Sequence, residues 1–146
     1  MSRVVLLDAG PLGEITHPKR HPNIKTWMAQ LLQSGVVVRV PEIADYEVRR
    51  ELIRASSPGI SRLDLLKEKI GYIPINTDMM LIAARFWAQA RNSGIPTAHD
   101  KALDADVILM AQASVVASTG DEVIVATTNV GHLSRFGEAR HWRNIN

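Results

Sequence analysis

The segment Val4-Val5-Leu6-Leu7-Asp8-Ala9-Gly10-Pro11, residues 4–11, decides the expected fold. Its short apolar run is rich in β-branched residues, which predicts a strand buried on both faces, as in a parallel sheet. Asp8 ends the strand, and the Gly-Pro pair after it predicts a turn. In open α/β sheets, ligands bind beyond the carboxyl ends of the strands. Asp8 is therefore a candidate metal or phosphoryl site, with a simple turn-capping Asp as the alternative.

The rest of the chain alternates between strand and helix patterns. Residues 14–23 are polar and proline-punctuated, which predicts a loop. Apolar side chains at helical spacing predict helices over residues 24–34, 41–55, 60–69, 77–94 and 104–118. Further strands are predicted at 36–40, 72–75 and 123–126, with a short edge strand at 142–145. This alternation favours an α/β fold with a mainly parallel sheet covered on both faces.

Composition narrows the class of protein. The chain has 146 residues, of which 46% are hydrophobic and 22% charged, which is typical of a single globular domain over residues 1–146. It contains no cysteine, which excludes disulfides and thiolate metal sites and favours the reducing cytoplasm. No apolar run is long enough to span a bilayer. The chain has 17 Lys and Arg residues and 15 Asp and Glu residues, and its formal net charge of +2 is only weak support for a nucleic-acid partner.

Two glutamates compete for a site on the helix that follows the second strand. Glu47 lies at the border of the apolar stripe formed by Ala44 and Val48, on the same side as Arg50. Glu51 lies closer to the centre of that stripe. The spacing alone leaves open whether Glu47 forms a structural ion pair or binds a metal.

Further acidic and amide side chains collect near the last long helix and after the fourth strand. Asp100, Asp104 and Asp106 gather at the predicted helix start, where Asp104 would also serve as an N-cap and Asp106 as a favourable first-turn acid. Asn129 follows the fourth strand directly, beside Thr127. Asp104, Asp106 and Asn129 are expected at the same edge of the sheet as Asp8 and Glu47.

An oxygen-rich, sulfur-free cluster suits Mg²⁺ or Mn²⁺, which activate water and stabilise negative charge on a phosphate. Without a cation, massed carboxylates would raise one another's pKa values. The five histidines show no tight metal-ligand spacing, so a zinc site is not expected. There is no Walker A sequence, no GxGxxG and no GxSxG, so neither a nucleotide cofactor nor a serine nucleophile is expected.

Four segments in this order resemble the motifs of the PIN-domain family, which includes VapC-type toxins and related nucleases. The resemblance covers essentially the whole chain, and in the second motif the acid follows the proline by six residues, which selects Glu47 over Glu51. The four segments are residues 5–12 (VLLDAGPL), 40–48 (VPEIADYEV), 106–113 (DVILMAQA) and 127–133 (TTNVGHL).

The resemblance implies a three-layer α/β/α sandwich with a four- to five-stranded sheet. It further implies that Asp8, Glu47 and Asp106 bind Mg²⁺ or Mn²⁺, with Asp104 and Asn129 in support. The implied activity is hydrolysis of phosphodiester bonds in single-stranded RNA by a metal-bound hydroxide. Because many family members are toxins, the resemblance extends to an antitoxin protein as a partner and to a homodimer. Asn129 stands where an Asp is usual, which weakens any second metal site.

Candidate substrate contacts are the cationic side chains near these acids, because an RNA backbone requires positive partners. Each of them has an ordinary solvated side chain as its alternative. Trp27 and Trp87 are expected in the core, and Trp142 is the only tryptophan expected at a partner surface. The candidate substrate-binding residues are Lys19, Arg20, Arg50, Arg54 and Thr127.

Two other functions remain compatible with the sequence. A catalytically idle PIN-like module would bind RNA or protein without cleaving it. A receiver-like domain would use Asp8 as a phosphoacceptor, although Lys101 does not occupy the position that such a domain requires.

Overall fold

The central sheet has five strands, all of them parallel. The structure is a computed structural model that describes residues 2–19, 21–94 and 100–146, and for residues 100–102 it describes the backbone only. The strand order is β3-β2-β1-β4-β5, so the strand that carries Asp8 at its end is central. Val5 of β1 pairs with Val38 of β2 on one side and with Ile124 of β4 on the other. The predicted parallel sheet is confirmed. The strands are β1 (Arg3–Leu7), β2 (Val37–Pro41), β3 (Tyr72–Ile73), β4 (Glu122–Thr127) and β5 (Ala139–His141).

Helices cover both faces of this sheet, as predicted. Alternate residues of β1 point to opposite faces: Val5 and Leu7 pack under α1, α2 and α4, whereas Val4 and Leu6 pack under α6. Helix α5 packs on the outside of α6. The helices are α1 (Ala9–Thr16), α2 (Pro22–Gln33), α3 (Glu42–Arg54), α4 (Ile60–Ile70), α5 (Thr77–Asn92), α6 (Asp100–Ala117), α7 (Val130–Leu133) and a short 3₁₀ helix (Trp142–Asn144).

Among the described helices, none has the length and apolar character that crossing a lipid bilayer would require.

The segment after β1 differs from the prediction. Residues 9–16 form helix α1 instead of a turn and a loop, and the side chain of Asp8 accepts a hydrogen bond from the backbone N–H of Ala9 at its start. Pro11 lies in the first turn, where a backbone N–H has no partner within the helix, so proline is tolerated there. Asp8 is thus both the end of a strand and the cap of a helix.

Two other boundaries also differ. Helix α6 begins at Asp100, so Asp104 lies inside the helix and is not its cap. The edge strand β5 comes earlier than predicted, at Ala139–His141, and residues 142–144 form the 3₁₀ helix.

The predicted roles of two tryptophans are reversed. Trp142 is buried, with its ring 5.6 Å from that of Trp27, and the Trp27 Nε1–H donates to the carbonyl oxygen of Ile145 at 2.8 Å. Trp87 on α5 is 41% exposed. The prediction that Trp142 contacts a partner is therefore wrong, because its side chain is part of the hydrophobic core and packs against Trp27 and Ile145.

Candidate functional site

Asp8 is held at the centre of the carboxyl edge of the sheet. Its Oδ1 accepts from the N–H of Ala9 at 2.7 Å, and its Oδ2 accepts from the hydroxyl of Thr127 at 2.7 Å. Thr127 ends β4, which pairs with β1, so two adjacent strand ends clamp this one carboxylate. Burial raises the pKa of Asp8 above its ordinary value, and the hydrogen bonds from Thr127 and Ala9 offset part of that rise.

Glu47 projects from α3 toward the same edge. Burial raises the pKa of Glu47 to about 7, and the negative charges of Asp8 and Asp106 add to the rise while Arg50 opposes it. The Arg50 guanidinium lies 3.9 Å from the Glu47 carboxylate, which is long for an ion pair, and it also lies over the ring of Tyr46. The positive charge of Arg50 therefore compensates Glu47 only in part.

Asp106 enters the site from α6. Burial raises the pKa of Asp106 to about 6, the charge of Asp8 adds to the rise, and Arg135 opposes it. Its Oδ2 is buried and, among the described residues, has no hydrogen-bond partner. A buried carboxylate oxygen without a partner is costly, and such an atom marks a place for a missing cation or water.

The three predicted acids are thus electrostatically coupled although they lie far apart in sequence. Within the described ranges, however, no group of three or more His, Cys, Asp or Glu side chains is arranged to hold a metal ion. Mutual repulsion keeps uncompensated carboxylates apart, and a bound cation removes that repulsion. The site has the donor chemistry of a divalent-cation site but not the closed geometry of one.

Asp104 does not join these acids, which corrects the prediction that it supports them. It is exposed, and it lines a groove between α5 and α6 together with Met80 and Trp87. Two residues along a helix differ by about 200° in direction, so Asp104 and Asp106 point to nearly opposite sides of α6. The prediction rested on a helix start at residue 104, whereas α6 begins at Asp100.

Glu51 is also separated from the cluster. It is 59% exposed in its side chain and pairs with Arg54 at 2.7 Å. Of the two glutamates left open by spacing, Glu47 is the one whose pKa is raised by Asp8 and Asp106.

Thr127 has a different role from the predicted contact with substrate. Its side chain is fully buried, its hydroxyl donates to Asp8, and the same oxygen accepts from the N–H of Asn129 at 2.8 Å. A substrate has no access to it, so Thr127 positions Asp8 instead. Asn129 begins α7 at the same edge, and its side chain makes no capping hydrogen bond.

The predicted cationic contacts are only partly suited to RNA. Lys19 is exposed in the segment between α1 and α2, and Arg20 lies outside the described residues. Arg54 forms a salt bridge with Glu51, whereas Arg50 lies beside Glu47. Arg135 was missed: its charge lowers the pKa of Asp106, and its buried Nη1 has no hydrogen-bond partner among the described residues. Its only sequence signal is its place two residues beyond the fourth motif.

A groove of about 670 Å³ opens beside the carboxylates, between α1 and the pair α3 and α4. Ala9, Gly10 and Glu47 form the end nearest the cluster, and Arg50 and Arg62 line its course. Of the three acids, Glu47 is the one that lines this groove.

Comparison with known proteins adds evidence on the fold. No family profile and no curated protein matches the sequence. The structure, by contrast, is similar along nearly its whole length to chains in the crystal structure of VapBC2 from Rickettsia felis bound to a DNA fragment from their promoter. The TM-score is 0.72 at 14% identity, covering 95% of this chain and 98% of that chain.

Two further structures agree. A chain in VapBC-1 from nontypeable Haemophilus influenzae matches with a TM-score of 0.71 at 15% identity, over 97% of this chain and 99% of that chain. A chain in FitAcB from Neisseria gonorrhoeae matches with a TM-score of 0.67 at 18% identity, over 97% and 99%. These neighbours are VapC-type PIN-domain proteins. The protein therefore has a PIN-like α/β/α fold, and the resemblance suggested by the four motifs is confirmed at the level of the fold.

Proposed function

We propose that this protein is a metal-dependent endoribonuclease that hydrolyses phosphodiester bonds of single-stranded RNA. The observation that carries the proposal is the meeting of Asp8, Glu47 and Asp106, from β1, α3 and α6, at one sheet edge beside an open groove. Burial and mutual repulsion disfavour their ionised forms, and a divalent cation reverses that balance. Carboxylate oxygens are the ligands that Mg²⁺ and Mn²⁺ prefer.

The residues present fit such an ion in their donor chemistry. Asp106 Oδ2 is buried without a partner among the described residues, and Asp8 is oriented by Thr127 and Ala9. Asp8, Glu47 and Asp106 would hold the ion, and water molecules would complete its coordination. Asn129 offers a further oxygen at the same edge.

When bound, Mg²⁺ or Mn²⁺ supplies an activated water and stabilises charge on the scissile phosphate. The chain itself supplies position and charge balance. Thr127 holds Asp8 in one orientation, so no ordering cost is added when the substrate arrives. Arg50 beside Glu47 and Arg135 beside Asp106 flank the acids on two sides, where their positive charges favour an approaching phosphate.

The biological role we propose is that of a toxin restrained by an antitoxin protein. Its support is the similarity in fold to chains of the VapBC2, VapBC-1 and FitAcB structures. We also propose a homodimer. Helix α5 exposes three large apolar side chains, and oligomers commonly bury such surfaces; they are Met80, Leu81 and Trp87.

The enzyme proposal is tested by incubating the purified protein with a mixed single-stranded RNA in Mg²⁺ or Mn²⁺. Cleavage should stop in chelator and return when the metal is restored. Asp8→Asn should reduce the rate by at least about 100-fold, since it removes a ligand charge from the centre of the site. Asp104→Asn is the matched control and should cleave normally, because Asp104 faces the α5–α6 groove.

Cleavage that persists in chelator, or in Asp8→Asn, contradicts the proposal. RNA binding without any cleavage in either metal would instead identify a catalytically idle RNA-binding module.

A further inference from the structure

A second pocket lies at the same sheet edge, between α1, the start of α2 and the carboxyl ends of β4 and β5. It has a volume of about 200 Å³. Its wall includes Thr128, the residue that follows Thr127, whose hydroxyl donates to Asp8. The polar side chains that line it are Glu14, His21, Asn23, Thr128, His141 and Arg143.

The Glu14 carboxylate is the most informative group in this pocket. Glu14 is half-buried on α1, and among the described residues no hydrogen bond or ion pair reaches its carboxylate. A half-buried carboxylate gains most from a ligand that donates hydrogen bonds to both of its oxygens.

His141 supplies the complementary group. Its Nδ1 accepts from the backbone N–H of Arg143 at 3.2 Å, so its Nε2 carries the hydrogen and is a donor. The imidazole also lies against the ring of Trp142, with 5.7 Å between ring centroids, which fixes its orientation. The pocket therefore presents a two-oxygen acceptor and a separate donor.

Other ligand classes fit less well. A phosphate is disfavoured by the negative charge of the Glu14 carboxylate, which lines the same small pocket as Arg143. A planar group with paired donors and a nearby acceptor remains.

We infer that this pocket binds a guanine base. Guanine is the only RNA base whose Watson–Crick edge offers two adjacent donors, N1–H and N2–H, which match the two oxygens of Glu14, while its O6 and N7 accept from a donor such as His141. Given the proposed ribonuclease function, on which this extension rests, the guanine flanks the scissile phosphate. The pocket then makes cleavage depend on sequence.

Nucleotide binding tests the pocket independently of catalysis. Titrations of GMP, AMP, CMP and UMP into the metal-free protein, followed by NMR chemical shifts, should show GMP binding about 5- to 100-fold more tightly than the others. The shifts should centre on residues 14, 128 and 141. Glu14→Gln should abolish the preference, since an amide offers one acceptor where guanine needs two, and Glu68→Gln, an exposed change on α4, should keep it.

A cleavage profile on a random RNA library is the second readout. Guanine should be enriched at one fixed position relative to the cut in the wild-type protein and not in Glu14→Gln. If GMP binds no better than AMP, or if Glu14→Gln keeps the preference, the guanine pocket is refuted. If GMP binds selectively but no RNA is cut, the pocket stands and the ribonuclease proposal fails.

Discussion

At the scale of single residues, the hydroxyl of Thr127 determines how Asp8 is presented. It donates to Asp8 Oδ2 and accepts from the N–H of Asn129, so one buried oxygen connects β4, the start of α7 and the acid at the end of β1. Removal of this donor would leave the half-buried Asp8 carboxylate with one hydrogen bond from the described residues, that of the Ala9 N–H.

Thr127→Val should therefore slow metal-dependent cleavage by about 10–100-fold while the fold is retained, which is the usual cost of losing a group that orients a metal ligand. The hydrogen bond from Thr127 lowers the pKa of Asp8, so its loss should also move the acid limb of the rate profile to higher pH. Thr127→Ser keeps the hydroxyl and should restore both the rate and the profile. An unchanged pH profile in Thr127→Val would contradict this role.

Glu47 makes the metal-free protein less stable as pH rises. In the native state this carboxyl keeps its proton up to about pH 7, whereas in the unfolded chain it loses it near its ordinary pKa of 4.5. Between these two values the native state binds more protons, so the free energy of unfolding falls as pH increases. The stabilisation is complete below pH 4.5 and is lost as pH passes 7.

Glu47→Gln should remove that dependence. In chelator at pH 8, its free energy of unfolding should exceed that of the wild type by on the order of 1–2 kcal/mol, and at pH 4.5 the two should be equal. Urea unfolding at both pH values measures the difference. A wild-type stability that is flat or rising between pH 5 and 8 would contradict the raised pKa of Glu47.

Sequence reasoning identified Asp8 and Glu47 for a physical reason. A residue at the end of a buried parallel strand has its position set by the strand itself, and the motif register chose between Glu47 and Glu51. The prediction that Asp104 joins the other acids was wrong, because Asp104 faces α5 and the contacts between helices cannot be read from local spacing. Arg135 was missed because a cation has no periodic signal.

At the scale of elements, α3 is tied to α4 by a network of ions. Arg49 binds both oxygens of the buried Asp45, at 2.9 and 3.1 Å, and reaches the exposed Asp64 at 2.5 Å. Lys67 lies 3.4 Å from Asp45 as well. Since α3 carries Glu47, this network fixes the helix from the side opposite the site.

Asp45→Asn should lower the free energy of unfolding by about 2–3 kcal/mol, because it leaves Arg49 and Lys67 without their shared buried anion. Asp64→Asn is the matched control, and it should cause little change because Asp64 is exposed and screened by solvent. Urea denaturation of both variants checks the ranking. Equal losses would indicate that burial of Asp45 contributes nothing to the strength of the network.

The buried side-chain amide of Gln112 joins three elements, α6, β3 and α3. Gln112 of α6 donates from Nε2 to the carbonyl of Ile73 in β3 at 2.7 Å, and its Oε1 accepts from the N–H of Ile43 in the first turn of α3 at 3.3 Å. It is fully buried in this position. One side chain thereby fixes α3, which bears Glu47, relative to α6, which bears Asp106. The sequence places Gln112 only within an apolar helix and does not indicate these partners.

At the scale of the whole molecule, the three acids come from positions 8, 47 and 106, and a cation would link these segments. Binding to the native state alone raises its stability, and the carboxylates must be ionised to bind. In 10 mM Mg²⁺ or Mn²⁺ the melting temperature should rise by several degrees at pH 8 and hardly at pH 5. Calorimetry of the wild type and of Asp106→Asn, which should lose the rise, tests this. A rise of the same size in both proteins would place the metal elsewhere.

The sequence by itself determined the alternation of strands and helices beyond residue 23, the parallel character of the sheet and the position of Asp8 at a strand end. These depend on the hydrophobic period and on turn residues, which are local. Only the tertiary structure decided that residues 9–16 form a helix, that Trp142 is buried and Trp87 exposed, that Asp104 is separate and that Thr127 supports Asp8. Those outcomes depend on which surfaces meet, and contacts between distant segments leave no local pattern in the chain.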